Sequence, residues 1–349
     1  MNVLGHHGDT TAAELRALGV DPSQVLDLSV NVSSFGPSPR VLAAIHGADV
    51  VAYPDRQAAE ARRALGSALG VDPATLLIGN GAAELIWCAV RALARPGDRM
   101  VIAGPTFSEA EAAAHAHGMD VVEVRARPTD AFAPPAHALS ETIARLRPVL
   151  AYVCHPNNPT GQALLAHELH TLIARHPDTT FLVDQAFLSL SERHTDASLP
   201  LPSNALVLRS LTKDHALAGL RVAYALGSPA LLARLATQRA PWSVSSLALA
   251  AAAAAAPEDE YLASVRTRWL TQRRELEALL TQQAIPHIPS LTVFGLVHVG
   301  DADLVRARLL SEAHILVRSG TSFGLPEYIR VRASDQNARF VAALVALAR

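Results

Sequence analysis

The sequence predicts an α/β protein built around a mostly parallel sheet of seven strands. Seven short apolar runs are continuous rather than alternating, which is typical of strands that are covered on both faces. The segments between them, such as residues 82–93 and 109–117, have the composition and length of helices. This alternation of strands and helices favours parallel pairing. The apolar runs are residues 76–78, 100–103, 121–124, 149–153, 181–183, 205–208 and 222–225.

The chain is expected to divide into an N-terminal arm, a large domain and a smaller α+β domain. Residues 1–45 form the loop-rich arm, and residues 46–240 form the large domain that contains the seven apolar runs. The small domain is predicted at residues 241–349, where residues 285–299 and 315–331 have the pattern of strands with helices between them. We expect the arm to contribute to this small domain and to a substrate pocket.

The composition argues against a nucleic-acid or membrane partner. The chain has 30 basic and 32 acidic side chains and a formal net charge of −2, so nothing attracts it globally to phosphates or anionic lipids. It lacks the pattern of a secretory signal or of a membrane span. Cys88 and Cys154 lie in apolar stretches and fit neither a disulfide framework nor a metal site. We therefore expect a cytoplasmic protein that acts on a small molecule without a metal.

Lys213 is the only lysine among the 30 lysine and arginine residues of the chain. Arginine keeps its proton in proteins, whereas a lysine amine can lose it and act as a nucleophile or a base. A single lysine among arginines therefore indicates amine chemistry, most simply a Schiff base. The alternative is that the arginine-rich composition reflects genomic base bias and that one surface lysine persists by chance.

Residues that can carry chemistry follow four of the predicted strands. Ligands of such sheets collect at the carboxyl ends of the strands. A Gly-Asn-Gly turn at residues 79–81 opens a helix and offers free N–H groups to a phosphate. Asn158 and Asp184 follow two further strands, and Lys213 follows a fourth, with Arg221 beyond it. A phosphate cradle, an asparagine, a buried carboxylate and an amine are what pyridoxal 5′-phosphate requires.

Six short motifs support this interpretation when they are taken in their order along the chain. They are Tyr53-Pro54-Asp55, Gly79-Asn80-Gly81, Asn158-Pro159-Thr160-Gly161, Asp184-Gln185-Ala186-Phe187, Ser210-Leu211-Thr212-Lys213 and Gly219-Leu220-Arg221. Together they resemble the fold-type I, class I/II aminotransferase family. The resemblance covers nearly the whole chain and is closest to the branch with histidinol-phosphate aminotransferase and the L-threonine-O-3-phosphate decarboxylase of cobalamin biosynthesis. It implies the pyridoxal-phosphate-dependent transferase fold of type I.

The resemblance also implies how the cofactor is held. Lys213 binds the aldehyde covalently and later acts as the general acid and base. Asp184 pairs with the pyridine nitrogen, and Asn158 donates to the ring hydroxyl. The other implied cofactor contacts are ring stacking by Phe107, phosphate binding by Gly81, Ala82, Ala83, Ser210 and Arg221, and a phosphate contact from Tyr53 of the neighbouring subunit. This last contact implies a homodimer with shared active sites.

On the substrate side, the resemblance assigns two arginines of the small domain, because a guanidinium can bind carboxylate or phosphate through two N–H groups. Arg332 either compensates for a further arginine of the family or is a solvated strand residue. One histidine of an adjacent N-terminal pair contacts a substrate phosphate or merely caps the arm. The implied substrate residues are Arg318, Arg330, Asn31 and either His6 or His7.

The activity that the resemblance implies first is that of a threonine-phosphate decarboxylase, acting on a small phosphorylated amino substrate. The N-terminal His-Gly element, residues 26–31 and Phe187 favour it. Histidinol-phosphate transamination is the alternative, and a catalytically silent cofactor-binding protein is the alternative of another class. Two residues after the lysine stand where the family pattern has aromatics, and two others also depart from that pattern, so the substrate stays open. The four departures are His155, Gln185, Asp214 and His215.

Overall fold

The computed structural model describes Thr10, residues 12–198 and residues 202–347. No helix in this part of the chain is long and apolar enough to cross a membrane. The α-helices are α1 (Ala12–Ala17), α2 (Pro39–His46), α3 (Ala59–Leu69), α4 (Gly81–Leu93), α5 (Glu109–Ala116), α6 (Ala136–Leu146), α7 (Ala166–Ala174), α8 (Leu211–Asp214), α9 (Pro229–Ala236), α10 (Ser246–Ala255), α11 (Asp259–Gln282), α12 (Ala302–Ala313) and α13 (Asn337–Leu347). The strands are β1 (Leu26–Asp27), β2 (Leu76–Gly79), β3 (Arg99–Gly104), β4 (Asp120–Arg125), β5 (Leu150–Cys154), β6 (Thr180–Asp184), β7 (Ala205–Ser210), β8 (Ala223–Leu226), β9 (His287–Ile288), β10 (Phe294–His298), β11 (Ile315–Leu316), β12 (Arg318–Ser319) and β13 (Tyr328–Arg332).

The central sheet has seven strands in the order β2-β8-β7-β6-β5-β3-β4. Strand β8 pairs antiparallel with both of its neighbours, and every other pair in the sheet is parallel. Each predicted apolar run forms one of these strands, and its ends shift by no more than two residues. The prediction of an α/β fold with a mostly parallel seven-stranded sheet is confirmed.

Both faces of this sheet are covered by helices, which explains why its strands are continuously apolar. On β5, Leu150 and Tyr152 pack with α4 and α5 on one face. Ala151 and Val153 pack with α6 and α7 on the other face, because successive side chains of a strand point to opposite sides. Since β3, β5, β6 and β7 are parallel neighbours, their carboxyl ends lie at one edge, where the polar residues follow.

A second sheet lies in the C-terminal third, with antiparallel strands in the order β12-β13-β10-β9. The arm reaches this region through β1, which pairs in parallel with β11. Both segments that were predicted here hold strands, with α12 between them, but each is divided into short strands. Pro289 cannot donate a ladder hydrogen bond, and Gly324 takes a φ of +67° at the end of the turn Thr321–Phe323.

Candidate active site

The carboxyl edge of the central sheet brings the predicted site segments together. Asp184 ends β6 and lies beside Cys154 of β5 and Leu208 of β7 in the register. The loops beyond these strands are joined by hydrogen bonds. Thr106 donates to Asn157 Oδ1 at 2.7 Å, and the Asn157 amide donates to the Pro105 carbonyl at 2.8 Å. The loops that follow β3 and β5 are therefore fixed to each other beside Asp184.

Asp184 is a buried carboxylate with its hydrogen bonds in place. Its Oδ2 accepts from the Tyr152 hydroxyl at 2.8 Å, and its Oδ1 accepts from the Ala186 N–H at 3.0 Å. Burial raises the pKa of Asp184, while these two hydrogen bonds and the positive charge of Lys213 lower it. A carboxylate held in this way beside an amine is suited to pairing with a protonated ring nitrogen.

The sequence analysis missed Tyr152 as a residue of the site. Burial, followed by the charge of Asp184, raises the pKa of Tyr152 well above its ordinary value, so that it stays protonated and donates to the carboxylate. A signal for it was present, because a phenol in a fully buried strand needs a hydrogen-bond partner. It lies two residues before the end of β5, next to the strand that carries Asp184.

Lys213 lies on α8, a four-residue helix that directly follows β7. The Ser210 hydroxyl caps this helix by accepting from the Thr212 N–H at 3.3 Å. The carbonyl of Lys213 accepts from the backbone N–H of Ser33 at 3.1 Å, so the N-terminal arm also holds the lysine backbone. The lysine itself is half-buried.

The start of α4 has the geometry of an anion cradle. Gly81 begins this 13-residue helix with a φ of +84°, and a Cβ added there would lie 2.6 Å from Nη2 of Arg221. The guanidinium therefore lies directly over the helix N-terminus, where the first N–H groups, including those of Ala82 and Ala83, have no partner within the helix. A cation over free N–H groups at the positive end of a helix dipole fits a phosphate.

Arg330 of β13 is a buried guanidinium that connects three parts of the chain. It donates through Nη1 to Asn158 Oδ1 at 2.6 Å and through Nη2 to the Ser29 carbonyl, while its Nε has no hydrogen-bond partner among the described residues. Burial, and then the neighbouring Arg318, lower the pKa of Arg330 to about 9, against the opposing effect of Asp27. Because its hydrogen bonds go to amide and carbonyl oxygens, this cation is suited to an anionic ligand.

Arg318 and Asn31 lie around the same region. Arg318 is the cross-strand neighbour of Arg330, and its Nη2 donates to the Ser322 hydroxyl at 2.7 Å. Asn31 is 4% exposed, and within the described residues neither polar atom of its side chain has a hydrogen-bond partner. An unpaired buried amide is costly, so a ligand that pairs with it is expected. Arg332 is buried and donates to the Asp27 carbonyl at 2.6 Å, so it is not a solvated strand residue.

The remaining predicted residues lie in different settings. Phe107 is half-buried and packs against the core beneath the start of α5. Tyr53 is 81% exposed and stacks on Trp242, with the ring centroids 4.8 Å apart. His6 and His7 lie outside the described residues.

The four departures from the family pattern are all buried. Gln185 accepts from Arg209 Nε at 3.1 Å, and the Asp214 carboxylate accepts from the Ser189 hydroxyl at 2.8 Å. Together with His215 they line a cavity of about 410 Å³ that Ser210 also borders. His155 differs from these three, because it does not line this cavity. Its backbone N–H donates to the Asp184 carbonyl at 2.7 Å.

We expect His155 to make the protein less stable as the pH falls. Burial lowers the pKa of His155 from 6.5 to about 4, and its Nδ1 has no partner in the described part of the chain. The unfolded chain therefore takes up the proton first, and the free energy of unfolding decreases between pH 6.5 and pH 4, by about 3 kcal/mol in full. Urea unfolding of the wild type and of His155→Asn at several pH values measures this free energy. The difference in the free energy of unfolding between the wild type and His155→Asn should be constant above pH 7. Below pH 6.5 it should change in favour of the variant. If the free energies of both proteins changed in parallel with pH, this would contradict the prediction.

The comparisons with known proteins agree with the observed fold. The model of the family "Aminotransferase class I and II" matches residues 23–344. Histidinol-phosphate aminotransferase of Symbiobacterium thermophilum is 33% identical over 340 residues, which cover 95% of this chain and 92% of that protein. The crystal structure of histidinol-phosphate aminotransferase from Sinorhizobium meliloti in complex with pyridoxal-5′-phosphate has a TM-score of 0.87 at 25% identity, with 97% and 95% of the two chains covered. That of L-threonine-O-3-phosphate decarboxylase from Porphyromonas gingivalis has a TM-score of 0.81 at 25% identity, covering 93% of this chain and 99% of that chain.

The chain therefore belongs to the aminotransferase class I and II family. It is a pyridoxal-phosphate-dependent enzyme, which confirms the predictions of the enzyme class and of the cofactor. The prediction of the particular activity is not supported in the same way. The similar curated proteins are named histidinol-phosphate aminotransferases, so the comparisons favour the alternative over the threonine-phosphate decarboxylase that the sequence analysis put first.

Proposed function

We propose that this enzyme transfers the amino group of a small phosphorylated substrate, histidinol phosphate, to a 2-oxoacid. Relatives of that name match more than nine-tenths of the chain, which supports this choice. The observation in the site that carries it is the buried Arg330 with its unpaired Nε, cross-strand from Arg318. Two neighbouring guanidinium groups suit the phosphate of the amino substrate and the carboxylates of its partner.

Each site residue has a distinct task in this proposal. When bound, pyridoxal phosphate supplies an electron sink for the charge left on the substrate Cα. Lys213 would hold the cofactor through its amine and would also carry the proton taken from the substrate Cα. Asp184 keeps the ring nitrogen protonated, and Asn158 orients the ring while its Oδ1 anchors Arg330. Asn31 of the arm would pair with the substrate through its buried amide.

The test is an assay of the purified enzyme with two substrates. With histidinol phosphate and 2-oxoglutarate, we expect glutamate to form. With L-threonine phosphate, we expect no CO2. Release of CO2 and aminopropanol phosphate from L-threonine phosphate, without glutamate formation from histidinol phosphate, would overturn the proposal in favour of the decarboxylase.

We expect Gly81→Ala to weaken cofactor binding about tenfold, since an L residue is strained at this positive φ and its methyl group displaces the Arg221 guanidinium. Titration of the apoenzyme with pyridoxal phosphate, followed by absorbance, measures the dissociation constant. Gly219→Ala is the matched control, because a Cβ there meets nothing within 4 Å. Equal affinities of the wild type and Gly81→Ala for pyridoxal phosphate would show that Gly81 is not part of the phosphate site.

We also propose that the enzyme is a homodimer with shared sites, in which Tyr53 contacts the phosphate bound by its partner. An exposed apolar patch supports this interface. It consists of Val50 (71% exposed), Val51 (95%), Tyr53 (81%) and Trp242 (45%).

The shared site predicts that two inactive variants complement each other. When Tyr53→Ala and Lys213→Ala subunits are unfolded together and refolded, a mixed dimer has one site with both native residues. Random pairing therefore restores about a quarter of the wild-type activity. If the mixture shows only the mean of the two separate variants, Tyr53 acts within its own subunit or not at all.

A further inference from the structure

Asp214 directly follows the lysine of the site and is only 5% exposed. Its Oδ2 accepts from the Ser189 hydroxyl at 2.8 Å, and its Oδ1 accepts from the backbone N–H of His215 at 2.9 Å. Ser189 lies in the turn Leu188–Leu190, which continues the segment that begins at the end of β6. The carboxylate therefore ties the lysine helix α8 to the loop that starts from Asp184.

This loop is itself fixed, so it can serve as an anchor. The Ser189 carbonyl accepts from Nη1 of Arg266 on α11 at 3.2 Å. Within the turn, the Leu188 N–H donates to the Gln185 carbonyl at 3.1 Å. At the other end of the loop, the Ala186 N–H donates to Asp184. One short segment thus holds both the carboxylate of the site and the hydroxyl that binds Asp214.

Helix α8 needs such an anchor, because a single turn of helix has no stability of its own. Ser210 fixes its first turn, and the Ser33 N–H fixes the carbonyl of Lys213. Asp214 supplies a third point, at the end of the helix. A residue that only filled space would not need a buried carboxylate, which costs free energy unless it is hydrogen-bonded.

We propose that Asp214 is a positioning residue for Lys213, and that the Ser189–Asp214 hydrogen bond fixes the amine relative to the Asp184 carboxylate. This inference rests on the proposed role of Lys213 as the cofactor lysine. It accounts for one departure from the family pattern, in which an aromatic residue follows the lysine. The aspartate fixes the end of α8 by a hydrogen bond, whereas an aromatic residue would fix it by packing.

The experiment compares Ser189→Ala, Asp214→Ala and the double variant in the holoenzyme. Single turnover with L-glutamate, followed by the loss of visible absorbance, should slow about tenfold in each single variant, because small displacements of a reacting group are costly. The concentration of L-glutamate at half-maximal rate should stay within about twofold. The double variant should be no slower than the slower single variant, since both remove one shared interaction.

Ser191→Ala is the matched control, because the Ser191 hydroxyl donates to the Leu188 carbonyl at 2.8 Å within the same turn and does not reach α8. It should lower the melting temperature of the apoenzyme about as much as Ser189→Ala, with an unchanged turnover rate. Wild-type turnover in both Ser189→Ala and Asp214→Ala, or independent effects that multiply in the double variant, would overturn the inference. Retained colour in Lys213→Ala would instead refute the role of the lysine itself.

Discussion

Lys213→Arg abolishes amino transfer, with a loss of about 10⁴-fold or more, and the protein stays colourless when pyridoxal phosphate is added. Arginine keeps the positive charge and nearly the length of the side chain, but it can neither form a Schiff base nor carry a proton at neutral pH. The chain has arginine in place of lysine at every other basic position. The measurements are the visible absorbance of the protein with added cofactor and the rate of glutamate formation.

Lys213→Ala is the companion variant, because it removes the charge as well as the nucleophile. Both variants should keep the fold, since Ser210, the Lys213 carbonyl and Asp214 hold α8 by hydrogen bonds that neither change removes. The melting temperatures of the two apoenzymes should therefore stay close to that of the wild type. Yellow colour and turnover in either variant would mean that another amine binds the cofactor, although the chain contains no second lysine.

The strands could be predicted from the sequence because their environment is uniform. On β5, alternate residues enter two separate cores, so every position must be apolar, and a continuous apolar run is the result. The approximate location of the site follows from topology alone. Parallel neighbouring strands end at one edge, so Asp184 and Lys213 were expected to lie close together without knowledge of any side-chain contact.

The contacts that complete the site could not be predicted in this way, because they join distant parts of the chain. Arg330 and Asn158 are separated by 172 residues, and their hydrogen bond depends on how the C-terminal sheet lies against the central one. The burial of Arg332 depends on the arm, whose Asp27 carbonyl lies over β13. Short strands such as β11 and β12 have too few residues to show a period, so the pattern there suggested longer strands than the chain forms.

Asp184→Asn separates catalysis from folding more sharply than any other change in the site. The amide has the shape of the carboxylate and can still accept from the Ala186 N–H, but it brings no negative charge to the ring nitrogen. Without that charge the ring is a poor electron sink, and we expect turnover to fall about 10³-fold. The stability of the apoenzyme should not fall. Burial raises the pKa of Asp184, so its ionised form costs folding free energy at neutral pH, and the amide removes this cost.

The stability difference between Asp184→Asn and the wild type should depend on pH. The gain in stability of Asp184→Asn should be largest at neutral pH, decrease once the pH falls below the raised pKa, and disappear near the ordinary value of 3.8, where the unfolded wild type also carries a neutral carboxyl group. Tyr152→Phe is the matched control, because it removes one hydrogen bond to Asp184 and leaves the charge in place. It should slow turnover only severalfold. Asp184→Asn with wild-type turnover, or with an apoenzyme that is clearly less stable than wild type at pH 7, would show that this carboxylate serves the fold and not the cofactor.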